Sequence, residues 1–572
     1  MKTFPIAALL ALLLTGSAHA AQAIATLPVV PPTQTCAALQ TQDLTALGGA
    51  GSHITSARET TDNGISHCVV EGTLAPSIGF RVSLPTRTWT QRYLQVGCGG
   101  LCGNIATQIG AAQGCVPLDS GGFVTAATDM GHEGNSSAFG QDPQKRVDFA
   151  YRSQHLTALV AKQLIKAFYG QPQQYAYFNG CSDGGREALM EAQRYPEDFD
   201  GIIAGAAALN FQVQNALYHA WQARANEGAD GKAILVAGRL NLLHEAVLAQ
   251  CDAQDGQVDR LISDPRSCHF DPASLQCKAG QAPDNCLTAA EVGAVRKLYD
   301  GPRDPATGQR LTIGDPQPGS ELAWAGVFVP MSADQPIFSQ KIALDALQNV
   351  SFASNPTRAL TLADARFDTA TFEQLRALHP LYDATNPDLS AFAGRGGKLI
   401  IWHGWADPHI SPLNSLAYHQ ALRKQMGEAR SEAFERLYLL PGVHHCSGGE
   451  GPSQLDLLTP MMSWVEHQQA PEMILTTQAT PKAQGFGAPM APPPGALKGQ
   501  RPPMGPMSLP ATAADQANAG RTRPLYPFPY VAVYNGSGDP RLAASYHRGG
   551  PIDSTPTPAW VGADFFTPYK PM

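Results

Sequence analysis

The sequence predicts an α/β protein: a mostly parallel sheet flanked by helices and interrupted by one large insertion. Three observations carry this. Short apolar strands alternate with amphipathic helices from "GFRVSLP" to "DGIIAGAAA". The rhythm then stops for almost two hundred residues. It resumes at "GGKLIIWHGWAD" and continues as strand, helix, strand, helix. Alternation of this kind argues for parallel strands joined by helical crossovers.

Each element has a local reason. "GFRVSLP", "RYLQVGCGG" and "GGFVTAATDM" read as strands from their alternation and aromatic content, and residues 21 to about 60 before them read as polar and irregular. "RSQHLTALVAKQLIKAFYG" has apolar residues at helical spacing and stops on Gly170. "QYAYFNG" is a strand, "REALMEAQRYP" a helix ended by Pro196, and "DGIIAGAAA" a short buried strand. Residues 210–397 carry four cysteines, an acidic turn and several helical stretches, and read as an inserted domain. After it come a helix from about Leu413, the strand "ERLYLLPG" and a helix around "DLLTPMMSWVEHQQ". Residues 398–572 thus complete the domain begun by residues 21–209. Within them, residues 479–510 are rich in Pro, Gly, Ala and Met and read as a flexible excursion.

The N-terminus, "MKTFPIAALLALLLTGSAHA", has a short basic start, an apolar run from Ile6 to Leu14 and small residues up to Ala20. This is the pattern of a secretory signal over residues 1–20, too short to span a bilayer. It predicts a secreted or periplasmic protein without a membrane span. A net charge of −8 without a basic block argues against a nucleic-acid partner. Only 15% of residues are charged, whereas there are 55 Gly and 46 Pro, a balance suited to a loop-rich globular chain of 572 residues. In an oxidising compartment the 11 cysteines read as disulfides, and the odd count leaves at least one thiol unpaired within the chain.

Gly180-Cys181-Ser182-Asp183-Gly184 is a G-x-S-x-G run between a strand and a helix, the context of a nucleophile elbow. Such a turn pushes Ser182 Oγ out over the sheet edge, and the helix start behind it offers free N–H groups to a developing oxyanion. A serine needs a base, and the base an orienting acid. In the chain order Ser, acid, His, Asp407 lies just past the strand in "IIWHGWADPHISP", and His444 and His445 just past the next in "LYLLPGVHHCSGGEG". Position alone does not choose between the two histidines. The cysteines do: Cys181 precedes Ser182 and Cys446 follows His445, so a bond between them would tie nucleophile and base side by side, favouring His445.

Cys181-Ser182, Asp407 and His445-Cys446 resemble the CS-D-HC motif of the tannase and feruloyl esterase family, which also includes a hydrolase of mono-(2-hydroxyethyl) terephthalate. "DFAYRSQHLTALVAKQLIKAFYG", "GCSDGGREALMEAQRYPEDFDGIIAGA", "GWADPHISP" and "RPLYPFPYVAVYNGSGD" resemble segments of the same family. The resemblance implies an α/β-hydrolase fold with an inserted lid domain, and serine esterase chemistry on a small aromatic ester. It implies Ser182 as nucleophile, His445 as general base and then acid, and Asp407 as the group that orients the imidazole. It also implies an oxyanion hole from the N–H of Asp183 and one from the "GCGG" turn, Gly99 being favoured over neighbouring Gly100.

The turn "CDAQDGQVDRLISDPRSC" crowds Asp252, Asp255 and Asp259 around Gly256. Alone, it suits either a Ca²⁺ site or a solvated acidic turn. The resemblance implies a structural Ca²⁺ in the lid, completed by the backbone carbonyls of Gln257 and Leu261. It further implies the pairs Cys251–Cys268, Cys277–Cys286 and Cys36–Cys68, leaving Cys98, Cys102 and Cys115, of which two can pair. The chain departs from the family where Tyr526 and Arg548 replace an expected pair of cysteines, and across residues 330 to 375, where no substrate contact is assignable. Three functions follow: an esterase acting on feruloyl or galloyl esters, a hydrolase of terephthalate monoesters or other aromatic esters, and a non-catalytic binder of polyphenol or carbohydrate on a hydrolase scaffold.

Overall fold

The computed structural model describes residues 23–478, 518–552 and 557–572. The signal segment 1–20 and the excursion 479–510 lie outside the described residues. The centre is a nine-stranded sheet: β1 (His53–Asp62), β2 (Ile65–Leu74), β3 (Ile78–Pro85), β4 (Arg92–Val96), β5 (Phe123–Thr128), β6 (Tyr175–Cys181), β7 (Gly201–Gly205), β8 (Lys398–Gly404) and β9 (Glu435–Leu440), in the order β1-β2-β3-β5-β4-β6-β7-β8-β9. Strands β4 to β9 run parallel, while β1, β2 and β3 pair antiparallel with their neighbours, β3 with β5 included.

Both faces of the parallel half are covered, which is why its strands read as unbroken apolar runs. Every residue of β8, "KLIIWHG", is buried. Alternate residues serve opposite faces. Phe178, Ile202 and Leu399 join the cluster that holds Leu164 and Leu189, from helices Ser153–Tyr169 and Asp183–Arg194. Tyr177, Ile203 and Ile400 join Met461 and Trp464 of helix Leu458–His467. The first of these helices ends where the sequence predicts, on Gly170 with φ 74°.

One expectation fails at the N-terminal edge. Residues 53–60 are not irregular: they belong to β1, which forms a hairpin with β2. The turn is Asn63-Gly64, both at positive φ (50° and 80°). Asn-Gly is the dipeptide such two-residue turns demand, but the polar outer face of β1 hides the strand. The C-terminal part adds a small sheet of Gln454–Leu455, Ile474–Thr477 and Thr522–Leu525, and a hairpin of Tyr530–Tyr534 with Tyr546–Pro551. Where the family staple is missing, Arg548 lies over the Tyr530 ring, 3.5 Å from its centre.

Residues 206–397 all lie between β7 and β8, which are direct neighbours in the sheet. A crossover needs only a dozen or so residues, so most of this segment is free to do something else. Part of it packs over the turn after β8. Tyr218 Oη and Gln222 Nε2 each donate to Pro408 O at 3.3 Å, Gln214 donates to His409 O, and the Phe338 ring meets His409 edge-on at 5.0 Å.

Candidate active site

Ser182 is the hinge between β6 and helix Asp183–Arg194, at φ 67° and ψ −122°. A non-glycine residue at positive φ is strained, and the neighbourhood shows what holds it there. A Cβ on Gly180 would fall 2.3 Å from Gly184 O, and one on Gly185 equally close to Gly205 O. Only glycines let the strand, turn and helix approach this closely. The Ser182 N–H donates to Gly205 O at 2.9 Å, and its carbonyl accepts from Gly185, Arg186 and Ala208.

Ser182, His445 and Asp407 form one hydrogen-bonded chain, with Ser182 Oγ 2.9 Å from His445 Nε2 and His445 Nδ1 2.6 Å from Asp407 Oδ2. His444, one residue earlier, is only half-buried. Asp407 is fully buried, and Oδ1 accepts the N–H groups of His409 (2.8 Å) and Ile410 (3.0 Å). Burial alone would raise its pKa, but His445 and His403 together hold the carboxyl well below the usual carboxylate range. An imidazole held between a serine hydroxyl and a carboxylate is arranged to accept the hydroxyl proton while its new charge is compensated.

Two further histidines surround the triad, and neither is marked as special in the sequence. His403 Nε2 faces two acceptors, Asp407 Oδ2 and Ile410 O, both at 3.1 Å, while Nδ1 faces Ser415 Oγ at 2.8 Å. Facing two acceptors, Nε2 carries a proton and gives Asp407 a second donor beside His445. His409 lies with its ring centre 4.9 Å from that of His445. Burial, and then the nearby His445, push its pKa well down, so it packs there as an uncharged ring.

The Asp183 N–H is the first of its helix and has no acceptor inside it. The turn carrying Gly99 and Gly100 leans on the same helix: a Cβ on Gly97 would come 2.6 Å from Gly184 Cα. Both glycines are exposed beside the elbow.

Five disulfides are formed: Cys36–Cys68, Cys98–Cys102, Cys181–Cys446, Cys251–Cys268 and Cys277–Cys286. The pair left open by the sequence is therefore Cys98–Cys102. Cys115 keeps a buried thiol, pushed up to about 11 by that burial. Cys181–Cys446 joins the residue before the serine to the residue after the histidine across 265 positions.

The acidic turn folds on itself around Gly256 (φ 88°). Asp252 accepts the N–H groups of Asp259 (3.2 Å) and Arg260 (3.0 Å), and Asp255 accepts Ser263 Oγ at 2.6 Å. Asp259 is paired with Arg523. Burial pushes Asp259 up to about 7; Arg521 opposes the shift, and Asp255 and Asp252 add to it. Among the described residues, the carbonyls of Gln257 and Leu261 accept no hydrogen bond. Carboxylates and carbonyls are hard oxygen donors of the type a divalent cation takes, but among the described residues the three carboxylates are not drawn within 4.8 Å of one another.

A family model described as tannase and feruloyl esterase matches residues 63–549. The mono(2-hydroxyethyl) terephthalate hydrolase of Piscinibacter sakaiensis is 31% identical over 551 residues, covering 84% of each chain. A probable feruloyl esterase B-2 of Aspergillus flavus is 34% identical over 437 residues, 72% of this chain and 78% of that one. Among solved structures, an esterase from Aspergillus oryzae superposes with a TM-score of 0.71 at 26% identity, over 90% of this chain and 100% of the other. Feruloyl esterase B from the same organism superposes with 0.72 over the same shares; at 24% identity it supports the fold. The sheet order is thus that of an α/β-hydrolase, and the chain belongs to the tannase and feruloyl esterase family of carboxylic ester hydrolases.

Proposed function

We propose that the protein is an exported serine esterase that cleaves esters of aromatic acids, of feruloyl or galloyl type, through an acyl-enzyme on Ser182. The observation that carries this is the Ser182–His445–Asp407 chain at 2.9 and 2.6 Å. Ser182 Oγ attacks the ester carbonyl carbon while His445 Nε2 takes its proton. The carbonyl oxygen becomes an oxyanion held by the Asp183 and Gly99 N–H groups. On collapse the C–O bond to the alcohol breaks, and His445 returns its proton to the leaving oxygen. Water then attacks the acyl-Ser182 carbonyl and gives its proton to His445. The second collapse releases the acid and restores the serine. Asp407 stays ionised throughout and holds the imidazole in the required tautomer.

Residues 210–397 serve in this reading as a lid, supported by the contacts of Gln214, Tyr218, Gln222 and Phe338 with the Asp407–Ile410 turn. Asp252, Asp255 and Asp259, with the Gln257 and Leu261 carbonyls, would hold a Ca²⁺. When bound, such an ion cross-links the lid loop and takes no part in proton transfer. Export is supported by the N-terminal pattern and the five disulfides. The similarity to the terephthalate monoester hydrolase favours a second reading, in which the substrate is a monoester of terephthalic acid. A panel of methyl ferulate, methyl gallate, chlorogenate and the terephthalate monoester, run with wild type and Ser182→Ala, tests both. Hydrolysis of at least one by wild type alone is expected. No hydrolysis of any, or equal hydrolysis by the variant, contradicts the proposal.

A further inference from the structure

We propose that Glu187, together with the Cys98–Cys102 disulfide, is a positioning residue that fixes the second oxyanion donor against the first. The inference rests on the reading of Ser182, Asp183 and Gly99 given above.

The two halves of the oxyanion hole have different mechanical support. Asp183 starts a twelve-residue helix that is buried along most of its length. Gly99 and Gly100 sit in an exposed turn whose own hydrogen bond is Cys102 N–H to Gly99 O at 3.1 Å. Two consecutive glycines have no side chains to anchor them and the widest backbone freedom. A donor carried there must be held by what flanks it.

What flanks it is one carboxyl group. Glu187 lies one helical turn after Asp183, so it projects from the same rigid element. Its Oε2 accepts the Cys98 N–H at 3.1 Å, directly before Gly99. Its Oε1 lies 2.8 Å from Cys98 Sγ and 3.3 Å from Cys102 Sγ, against the bond that closes the turn behind Gly99 and Gly100. Gln154 Nε2 donates to Oε2 at 2.5 Å and is itself fixed by Gln95. The glutamate is 1% exposed. The nearest guanidinium, Arg186, is committed to Asp183 as a fork at 2.6 and 2.9 Å. Burial, followed by Asp183, pushes the Glu187 carboxyl well above the usual range. It therefore acts as a neutral acid: Oε2 accepts from the turn and from Gln154, and the proton is left to Oε1. One helix thus carries the first donor and, through Glu187, the anchor of the second. Among the described residues no hydrogen bond or ion pair joins Glu187 to Ser182 or Asp407, so its effect on the reaction runs through the turn and through its neighbour Asp183, the carriers of the two oxyanion donors.

A neutral amide has the same acceptor and donor to offer, which gives the test its control. Glu187→Gln, Glu187→Ala and the double variant Cys98→Ala/Cys102→Ala are compared with wild type and Ser182→Ala. The readouts are kcat, KM, circular dichroism and the Kd of an aryl trifluoromethyl ketone, which adds to the serine and places its oxyanion in the hole. Glu187→Ala and the double-cysteine variant are expected to fold and to lose about 10- to 100-fold in kcat, with KM within about threefold. The ketone is expected to lose affinity by the same factor as kcat/KM. Glu187→Gln is expected to stay within about threefold of wild type. Should Glu187→Ala fail to fold, the double-cysteine variant still decides. Unchanged kcat, or a changed KM with unchanged ketone affinity, overturns the inference while leaving the triad in place. Glu187→Gln as impaired as Glu187→Ala overturns the neutral-acid role. Full activity in Ser182→Ala is the separate signature of a wrong triad, and overturns the inference with it.

Discussion

Removing the Cys181–Cys446 bond is expected to cost activity more than folding. The bond spans 265 positions with Cα atoms 6.0 Å apart. In the chain-entropy model a loop of that length stabilises by roughly 5 to 6 kcal/mol, and measured values for native disulfides run about 2 to 5. Typical stabilities of about 5 to 15 kcal/mol, and four other staples here, leave the variant folded at low temperature. The local consequence is sharper. Ser182 and Cys446 both sit at positive φ, 67° and 62°, each a conformation costing about 1 to 3 kcal/mol that surrounding structure must enforce. Cutting the bond releases one enforcing contact beside each reacting group. A displacement near 1 Å in the Ser182–His445 contact costs on the order of a hundredfold in rate, or about 2.7 kcal/mol of barrier. Cys181→Ala/Cys446→Ala avoids stray thiols. Its kcat, measured at a temperature where circular dichroism matches wild type, should fall about 100-fold, and non-reducing peptide mapping of wild type should show the two cysteines linked. A folded double variant with near-normal kcat would refute the reasoning and leave the bridge a staple.

Three other outcomes follow from the same geometry. Ser182→Ala and His445→Ala should each abolish nearly all esterase turnover while His444→Ala is mild; a dead His444→Ala beside an active His445→Ala reverses the assignment. Chelation should lower the melting temperature without stopping a folded enzyme in the cold, because a metal held at 100 times its Kd adds only about 2.7 kcal/mol by mass action; protein purified without chelator and free of calcium contradicts the site. Asp315, fully buried and pushed up to about 8 by that burial, is protonated in the native state and ionised in the unfolded one between about pH 4 and 8. The unfolded chain binds fewer protons there, so this group's contribution falls as pH rises. Asp315→Asn should therefore raise the melting temperature at pH 8, with the gain shrinking toward pH 4; a variant equally affected at both pH values would contradict this.

The parts legible in the sequence are those with short-range signatures. The G-x-S-x-G turn between strand and helix, and the chain order Ser, Asp, His past successive strands, are local patterns with a steric reason. His445 over His444 was readable because Cys446 adjoins one and not the other. The β1–β2 hairpin was also signalled, by Asn63-Gly64, but the polar face of β1 masked it. What the sequence does not show is assembled through space. His403 reaches Asp407 by lying on the strand before it, and His409 reaches His445 from a neighbouring turn. Glu187 acquires its role because β4 and the elbow helix bring Cys98 within 3.1 Å of it across 89 residues. The pairing of Cys98 with Cys102 likewise depends on a tight turn that spacing alone does not specify.

The central claim is that the reaction passes through an ester on Ser182, and trapping that ester tests it most directly. Wild-type enzyme is mixed with methyl ferulate or the terephthalate monoester, quenched in acid within the first turnovers, and examined by intact-mass and peptide-mass measurement. The predicted result is an increment equal to the acyl group, located on the peptide containing Ser182 and absent from Ser182→Ala. Steady turnover in Ser182→Ala, or an acyl group carried on a different residue, would contradict the account.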